Sequence, residues 1–197
     1  MTNRRTELRD DNAATRGALG ITAVERGATA DDVYTMLGDP AVTGEELPFP
    51  KHLTGEELQY LKTMDEMDLV VFNSQDWDRL GESHHPNIRV HWPDGHYTDG
   101  LERHLEDIKF NFIWAPDMQI ISHPIRVAKG NLTAVTGVAK GTFSRPMPDG
   151  KGGFIQPTGK EFAMNMMTVG IWNKQGTMDE EYLFYDNMAL FQQMGLA

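Results

Sequence analysis

Two carboxylates and a tyrosine near the end of the chain share one face of a predicted strand. Residues 178–186 alternate in character, and successive side chains of a strand point to opposite faces, so Glu180, Tyr182 and Asp186 lie together. A carboxylate in this setting could carry a proton, which makes Asp186 a candidate catalytic base. Alternatively, Asp186 caps the helix that helical spacing predicts over residues 187–196, because Asp is a favoured N-cap residue.

Three histidines within a short segment are the second candidates. His91, His96 and His104 lie on a predicted strand, a loop and a helix, and imidazole both titrates near neutrality and binds metals. Three imidazoles could bind zinc, but the spacing matches no standard ligand motif, so we expect no metal and no cofactor. His104 follows Leu101 of the buried stripe by three residues and points inward or along its boundary. Strand alternation sends His91 and Trp92 to opposite faces.

The apolar run at residues 162–172 is rich in methionine. Met164, Met166 and Trp172 share one face of the predicted strand, and Asn165 lies on the other. Methionine suits pockets that hold flat apolar ligands, although such a stripe is also typical of a plain core. Asn165, if buried, needs a hydrogen-bond partner, and a place in a pocket would supply one. A hairpin turn at residues 173–176 follows, because Gly176 tolerates the positive φ that such a turn requires.

Two helices precede these strands. Thr54 and Glu57 form a capping box that begins a helix reaching about residue 72, and Asp65 and Asp68 lie on a stripe beside its buried one. We expect both carboxylates to be solvated. The second helix begins at a capping pair, residues 99 and 102, and ends at Trp114.

Strands are predicted at residues 88–92, 118–127 and 132–143, with an interruption at Pro124 in the second. Residues 84–87 and 146–153 are predicted as loops, the latter as a long hairpin tip. Helices therefore come first, followed by a run of strands with one helix between them. This order predicts an α+β fold with a mostly antiparallel sheet.

Composition restricts the class of protein. The 197 residues carry a formal charge of −11, which argues against nucleic-acid and anionic-membrane partners. The chain has no cysteine, which excludes thiol catalysis and thiolate metal sites. No run approaches the roughly 18 apolar residues of a membrane span, and no secretory signal is evident, so a cytoplasmic location is expected. Residues 1–50 differ from the rest and are predicted to form an arm, which wraps its own domain or reaches a partner subunit. Residues 51–197 form the domain.

Four segments resemble one family, the SnoaL-like polyketide cyclases of the nuclear-transport-factor-2-like (NTF2-like) superfamily. They are Asn73-Ser-Gln-Asp-Trp-Asp-Arg-Leu80, Asn87-Ile-Arg-Val-His-Trp-Pro93, Tyr97-Thr-Asp-Gly-Leu101 and Tyr182-Leu-Phe-Tyr-Asp-Asn-Met-Ala-Leu-Phe-Gln-Gln-Met-Gly195. The resemblance covers residues 54–196. It implies a cone in which a curved, mostly antiparallel sheet packs on about three helices around an apolar cavity. It also implies a homodimer paired through the open face of the sheet, where Tyr185, Leu183 and Phe143 are available.

The resemblance assigns roles to particular residues. Asp186 matches the family's closing aspartate, His91 matches its strand-end histidine, and His104 falls on the helix that lines the cavity. In the family an aspartate and a histidine promote an intramolecular aldol closure without metal or cofactor. This chain departs from the common pattern where Glu181 and Leu183 replace a histidine and an aspartate.

The sequence thus predicts a cofactor-independent acid–base enzyme of the polyketide cyclase type. Its substrate is a hydrophobic carbonyl compound, and the reaction is an aldol-type cyclisation, an isomerisation or a related proton transfer. Asp186 is the predicted base, with His91, His104 or Tyr182 orienting the carbonyl group. The alternative is a non-catalytic protein of the same fold that binds a small molecule and keeps that binding after Asp186→Asn. The predicted substrate-binding residues are Trp92, Tyr182, Glu180, Asn165, Trp114 and Met164.

Overall fold

A curved seven-stranded sheet and three α-helices make up most of the structure. The computed structural model describes residues 49–197 of the chain. The helices are α1 (Gly55–Glu66), α2 (Leu101–Trp114) and α3 (Asn187–Met194); a π-helical turn (Met67–Phe72) extends α1, and a 3-10 helix (Trp77–Glu82) follows. The strands are β1 (His84–His91), β2 (Tyr97–Asp99), β3 (Gln119–Ser122), β4 (Arg126–Lys129), β5 (Leu132–Thr142), β6 (Met147–Pro148), β7 (Phe154–Ile155), β8 (Glu161–Trp172) and β9 (Met178–Tyr185).

The strand order of the large sheet is β2-β1-β9-β8-β5-β3, and β4 also pairs with β5. Every pairing is antiparallel except that of β1 with β9, which is parallel. Strands β6 and β7 form a separate small hairpin. The α+β prediction with a mostly antiparallel sheet is therefore confirmed.

The first helix begins as its sequence predicts. Thr54 Oγ1 accepts from the Glu57 backbone N–H at 3.2 Å, and Glu57 Oε2 accepts from the Thr54 N–H at 2.8 Å, so the capping box is confirmed. Leu61 and Met64 are fully buried. The π-helical turn then buries Asp68 together with Phe72, and the expectation that Asp68 is solvated is wrong.

Three other boundaries differ from the prediction. The N-cap of α2 is Gly100, with no side-chain cap; Asp99 instead accepts two hydrogen bonds from Arg89, at 2.7 and 2.9 Å. The segment that begins at His84, predicted as a loop, is already part of β1. The strand predicted at residues 118–127 is divided into β3 and β4 around Pro124, because proline cannot donate a ladder hydrogen bond.

The core lies between α1 and the inner face of the sheet. Trp172 stacks on Tyr60 at 4.9 Å and donates from Nε1 to Thr133 Oγ1 at 2.9 Å. The turn between β8 and β9 has the predicted positive φ at Gly176, 87°. Within residues 49–197, no helix is long and apolar enough to cross a bilayer. The predicted arm at residues 1–50 falls almost wholly outside the described residues.

Candidate active site

A cavity of about 290 Å³ lies between the inner face of the sheet and helices α2 and α3. Its wall is mostly apolar and includes Met67, Trp92, Trp114, Met164, Met166 and Leu183. Its titratable residues are His84, His104, Glu181, Asp68, Asp107 and Tyr185. An apolar cavity with a few converging polar groups is the usual form of a small-molecule site.

Three of these groups converge, and we call them the His–His–Glu cluster: His84, His104 and Glu181. Glu181 Oε2 lies 3.6 Å from His84 Nε2 and 3.4 Å from His104 Nε2. The three residues are buried, with exposed fractions of 0%, 3% and 3%. A buried carboxylate thus faces two imidazoles in the wall of a mostly apolar cavity.

Three different elements position the cluster. His84 is the first residue of β1, His104 lies in the first turn of α2, and Glu181 lies in β9. β1 and β9 are adjacent strands of the sheet, and both His84 and Glu181 line the cavity. The His84 ring is fixed from behind, since its Nδ1 lies 2.8 Å from Ser83 Oγ and 3.2 Å from the Leu80 carbonyl oxygen.

The charges within the cluster follow from its burial. Burial raises the pKa of the Glu181 carboxyl, but the contact with His84 and the field of both imidazoles outweigh this, so that the pKa of Glu181 is lowered overall. Burial lowers the pKa of His104 to about 4. The nearby His84 also lowers this pKa, whereas the negative charge of Glu181 raises it. At neutral pH the cluster therefore holds an ionised Glu181 beside a neutral His104.

Two groups lie at Nδ1 of His84: Ser83 Oγ, which can donate or accept a hydrogen bond, and the Leu80 carbonyl oxygen, which only accepts.

The chain matches the family model of the SnoaL-like polyketide cyclases over residues 62–194. This segment is well over half of the chain. The chain belongs to the SnoaL-like polyketide cyclase family.

Solved structures with the same fold support this assignment. A candidate SnoaL-like polyketide cyclase from Jannaschia sp. CCS1 is 17% identical, with a TM-score of 0.65, covering 75% of this chain and 99% of that one. IdmH from Streptomyces antibioticus, provisionally assigned as a polyketide cyclase, is 28% identical, with a TM-score of 0.60, covering 70% of this chain and 99% of that one. TsrD from Streptomyces laurentii is 19% identical, with a TM-score of 0.60, covering 74% of this chain and 100% of that one. No curated protein matches the chain.

Four of the residues predicted for the site lie in the cavity wall. His104, Trp92, Trp114 and Met164 all line it. The Trp92 ring lies 6.0 Å from that of His104, so the apolar wall and the polar cluster are in direct contact.

The other predicted site residues lie elsewhere. Asp186 is exposed and caps α3, accepting from the N–H groups of residues 188 and 189 at 2.9 and 3.0 Å. Glu180 and Tyr182 lie on the outer face of β9, and there Glu180 Oε2 accepts from Tyr182 Oη and lies 3.1 Å from His91 Nε2. Asn165 is also exposed. The prediction that the Glu180 face of β9 lines the site is therefore wrong, because the opposite face, which carries Glu181, lines the cavity.

The geometry also places the remaining predicted residues. His91, predicted to act with His104, lies apart from it and is stacked on Tyr182 at 4.0 Å, and His96 is paired with Asp94. The predicted dimer contacts face inward: residues 183 and 185 line the cavity, and Phe143 is fully buried.

Sequence reasoning missed a second buried polar group beside the cavity. His123 lies 2.8 Å from Asp68 Oδ2 through Nε2 and 2.8 Å from Asp65 Oδ1 through Nδ1. Arg126 donates to the other oxygen of Asp65 at 2.8 Å. Burial lowers the pKa of His123, but hydrogen bonds to both carboxylates outweigh it and raise this pKa to about 9. His123 is therefore a buried imidazolium that ties the segment after β3 to α1.

Proposed function

We propose that this protein is an acid–base enzyme acting on a hydrophobic carbonyl compound held in the cavity. The reaction is a proton transfer of the kind that an aldol-type cyclisation or an isomerisation requires, which is the general type expected of its family. The observation that carries the proposal is the buried Glu181 carboxylate facing two imidazoles in the wall of a mostly apolar cavity.

The residues of the cavity fit distinct roles in such a reaction. The Glu181 carboxylate, which is ionised at neutral pH because its pKa is lowered, takes a proton from the carbon next to the carbonyl group. A neutral His104 donates a hydrogen bond to the carbonyl oxygen as it gains negative charge. Trp92, Trp114 and Met164 hold the apolar body of the substrate and exclude water. The proton then returns to carbon or to the new hydroxyl group, which restores the carboxylate.

An exchange assay tests this proposal without knowledge of the natural substrate. Metal-free protein is incubated in D2O with a panel of cyclic and aromatic ketones, and deuterium entering next to the carbonyl is followed by NMR. We expect Glu181→Gln to slow enzyme-dependent exchange by about 100-fold or more. Glu180→Gln is the matched control, because this neighbour on β9 faces the opposite side of the sheet. Equal exchange by the wild type and by folded Glu181→Gln would refute the assignment.

The apolar wall also supports a second candidate function, the binding of a hydrophobic molecule without catalysis. This alternative predicts that a ketone or an aromatic ligand binds the wild type and Glu181→Gln equally, while neither accelerates exchange. Calorimetry combined with the exchange assay on the same two proteins therefore separates it from the enzyme.

A homodimer and a cytoplasmic location stay predictions. Because residues 183 and 185 line the cavity, we now propose the outer face of the sheet as the dimer contact. The outer face carries Phe184, which is 49% exposed, beside the stacked pair of His91 and Tyr182. Light scattering of the full chain and of Phe184→Glu tests the dimer, and a wild-type monomer would contradict it.

A further inference from the structure

We propose that the His–His–Glu cluster binds one divalent transition-metal ion through His84 Nε2, His104 Nε2 and Glu181. Ligand atoms of the three residues lie within 4.8 Å of one another. Among residues 49–197, this is the one group of three or more histidine or acidic side chains so arranged. The inference goes beyond the proposed function, which needs no metal.

The distances within the cluster fit a shared cation better than a shared proton. Hydrogen bonds between nitrogen and oxygen are usually about 2.7–3.2 Å long, whereas the two contacts to Glu181 Oε2 are 3.6 and 3.4 Å. In a tetrahedral zinc site with bonds of about 2.0–2.1 Å, neighbouring ligand atoms lie about 3.3 Å apart. The two distances from Glu181 Oε2 to the imidazole nitrogens are therefore close to the distance between neighbouring ligand atoms in a metal site.

Unpartnered atoms point to the same conclusion. His84 Nε2 and Glu181 Oε2 are buried and make no hydrogen bond, although buried polar atoms are normally paired. His84 has the outer-shell support typical of a metal ligand, because its Nδ1 bonds to the Leu80 carbonyl or to Ser83. His104 lacks such support: its Nδ1 has no hydrogen-bond partner, and its ring is held between Trp92 and His84 at 6.0 and 5.1 Å.

The donor set defines the class of ion. Two imidazoles and one carboxylate suit zinc, iron, cobalt or manganese rather than calcium or magnesium, which prefer oxygen ligands. The three ligands approach from β1, α2 and β9 and line the cavity wall, so a fourth position faces the cavity. An ion there would polarise the oxygen of a bound carbonyl compound as a Lewis acid.

Metal titration of the full chain tests this inference directly. The protein is produced without a histidine tag, stripped with chelator and titrated with Co²⁺ by visible absorption and with Zn²⁺ by calorimetry. We expect one equivalent of each metal to bind, with the intense visible bands of tetrahedral Co²⁺. Glu181→Gln should weaken Zn²⁺ binding by more than about 100-fold, because loss of even an outer-shell partner costs 10- to 100-fold. His91→Gln is the control, since it removes a histidine that faces a glutamate outside the cavity.

The possible outcomes decide the question whatever the proposed function proves to be. No stoichiometric binding overturns the inference, and so does binding that Glu181→Gln and His91→Gln weaken equally. If Glu181→Gln fails to fold, as judged by circular dichroism, His84→Asn and His104→Asn take its place and should each weaken binding. The exchange assay uses metal-free protein, so a failure of proton transfer and a failure of metal binding are seen separately.

Discussion

Raising the pH should destabilise this protein through one buried histidine. His123 is fully buried and contacts a carboxylate through each ring nitrogen, at 2.8 Å. Asp65 and Asp68 on the first helical segment supply these carboxylates, and Arg126 contacts Asp65 from the other side. An imidazole between two carboxylates is held in its charged form, and its pKa is about 9.

The size of the effect follows from the difference between the folded and unfolded states. An unperturbed histidine has a pKa of about 6.5, and each pH unit between the two pKa values corresponds to about 1.4 kcal/mol. A folded-state pKa of about 9 thus corresponds to about 3 kcal/mol of stability. Because the folded-state pKa is the higher one, this contribution is complete below pH 6.5. It is lost as the pH rises through 9.

Urea denaturation at closely spaced pH values from 6 to 9.5 measures the effect. The free energy of unfolding of the wild type should fall across this range relative to that of His123→Gln, in which the titrating group is absent. Subtracting the unfolding free energy of His123→Gln from that of the wild type at each pH removes the contribution of the other groups that titrate in this range. His96→Gln is the control, because it removes an exposed histidine that also contacts an aspartate, and its curve should run parallel to the wild type.

A second variant tests the assigned partners. Asp68→Asn leaves His123 with the Asp65 carboxylate alone, so the pH range of the loss should move toward 6.5. If the curves of the wild type and His123→Gln stay parallel from pH 6.5 to 9, the assignment of a buried imidazolium is refuted.

Three further changes test the placement of individual residues. Asp186→Ala should cost about 1 kcal/mol of unfolding free energy through loss of the helix cap while leaving ketone exchange unchanged; a loss of exchange in folded protein would return Asp186 to the catalytic machinery. Gly170→Ala should destabilise by about 1–3 kcal/mol, because the added Cβ would lie 2.6 Å from Met178 Sδ and 3.0 Å from Thr133 Oγ1; an unchanged melting temperature would contradict this packing. Trp172→Phe should keep the stacking on Tyr60 but lose the hydrogen bond to Thr133, at a cost of about 1–3 kcal/mol by denaturation; a neutral result would show that the bond contributes nothing.

The parts of the fold that follow from local physics could be predicted from the sequence. The capping box at Thr54 depends on residues three positions apart, and the hairpin at Gly176 depends on one residue that accepts a positive φ. Both are found as predicted. The resemblance to the SnoaL-like family, carried by four short segments, also gave the correct architecture.

Contacts between distant segments explain where the predictions failed. Asp68 looked like a solvated helix residue, because its partner His123 lies 55 positions further along the chain. Asp99 offered a good helix cap, but Arg89 lies opposite it on the neighbouring strand and binds the same carboxylate. Local propensity was outweighed by a tertiary partner in both cases.

The position of Glu181 shows most clearly why the candidate site could not be found by strand periodicity. Regular alternation places Met178 and Glu181 on opposite faces of a strand, yet both are buried. The register between β8 and β9 shifts at this point: Met178 pairs with Trp172, and Glu180 pairs with Ile171, so Asp179 is an extra residue.

A single bulged residue thus moves every later side chain of β9 to the other face. It turns Glu181 toward His84 and His104, and it turns Glu180 and Tyr182 away from the cavity. The chemistry of the cavity therefore depends on an irregularity that binary patterning does not detect, and bulges are frequent beside active sites for this reason.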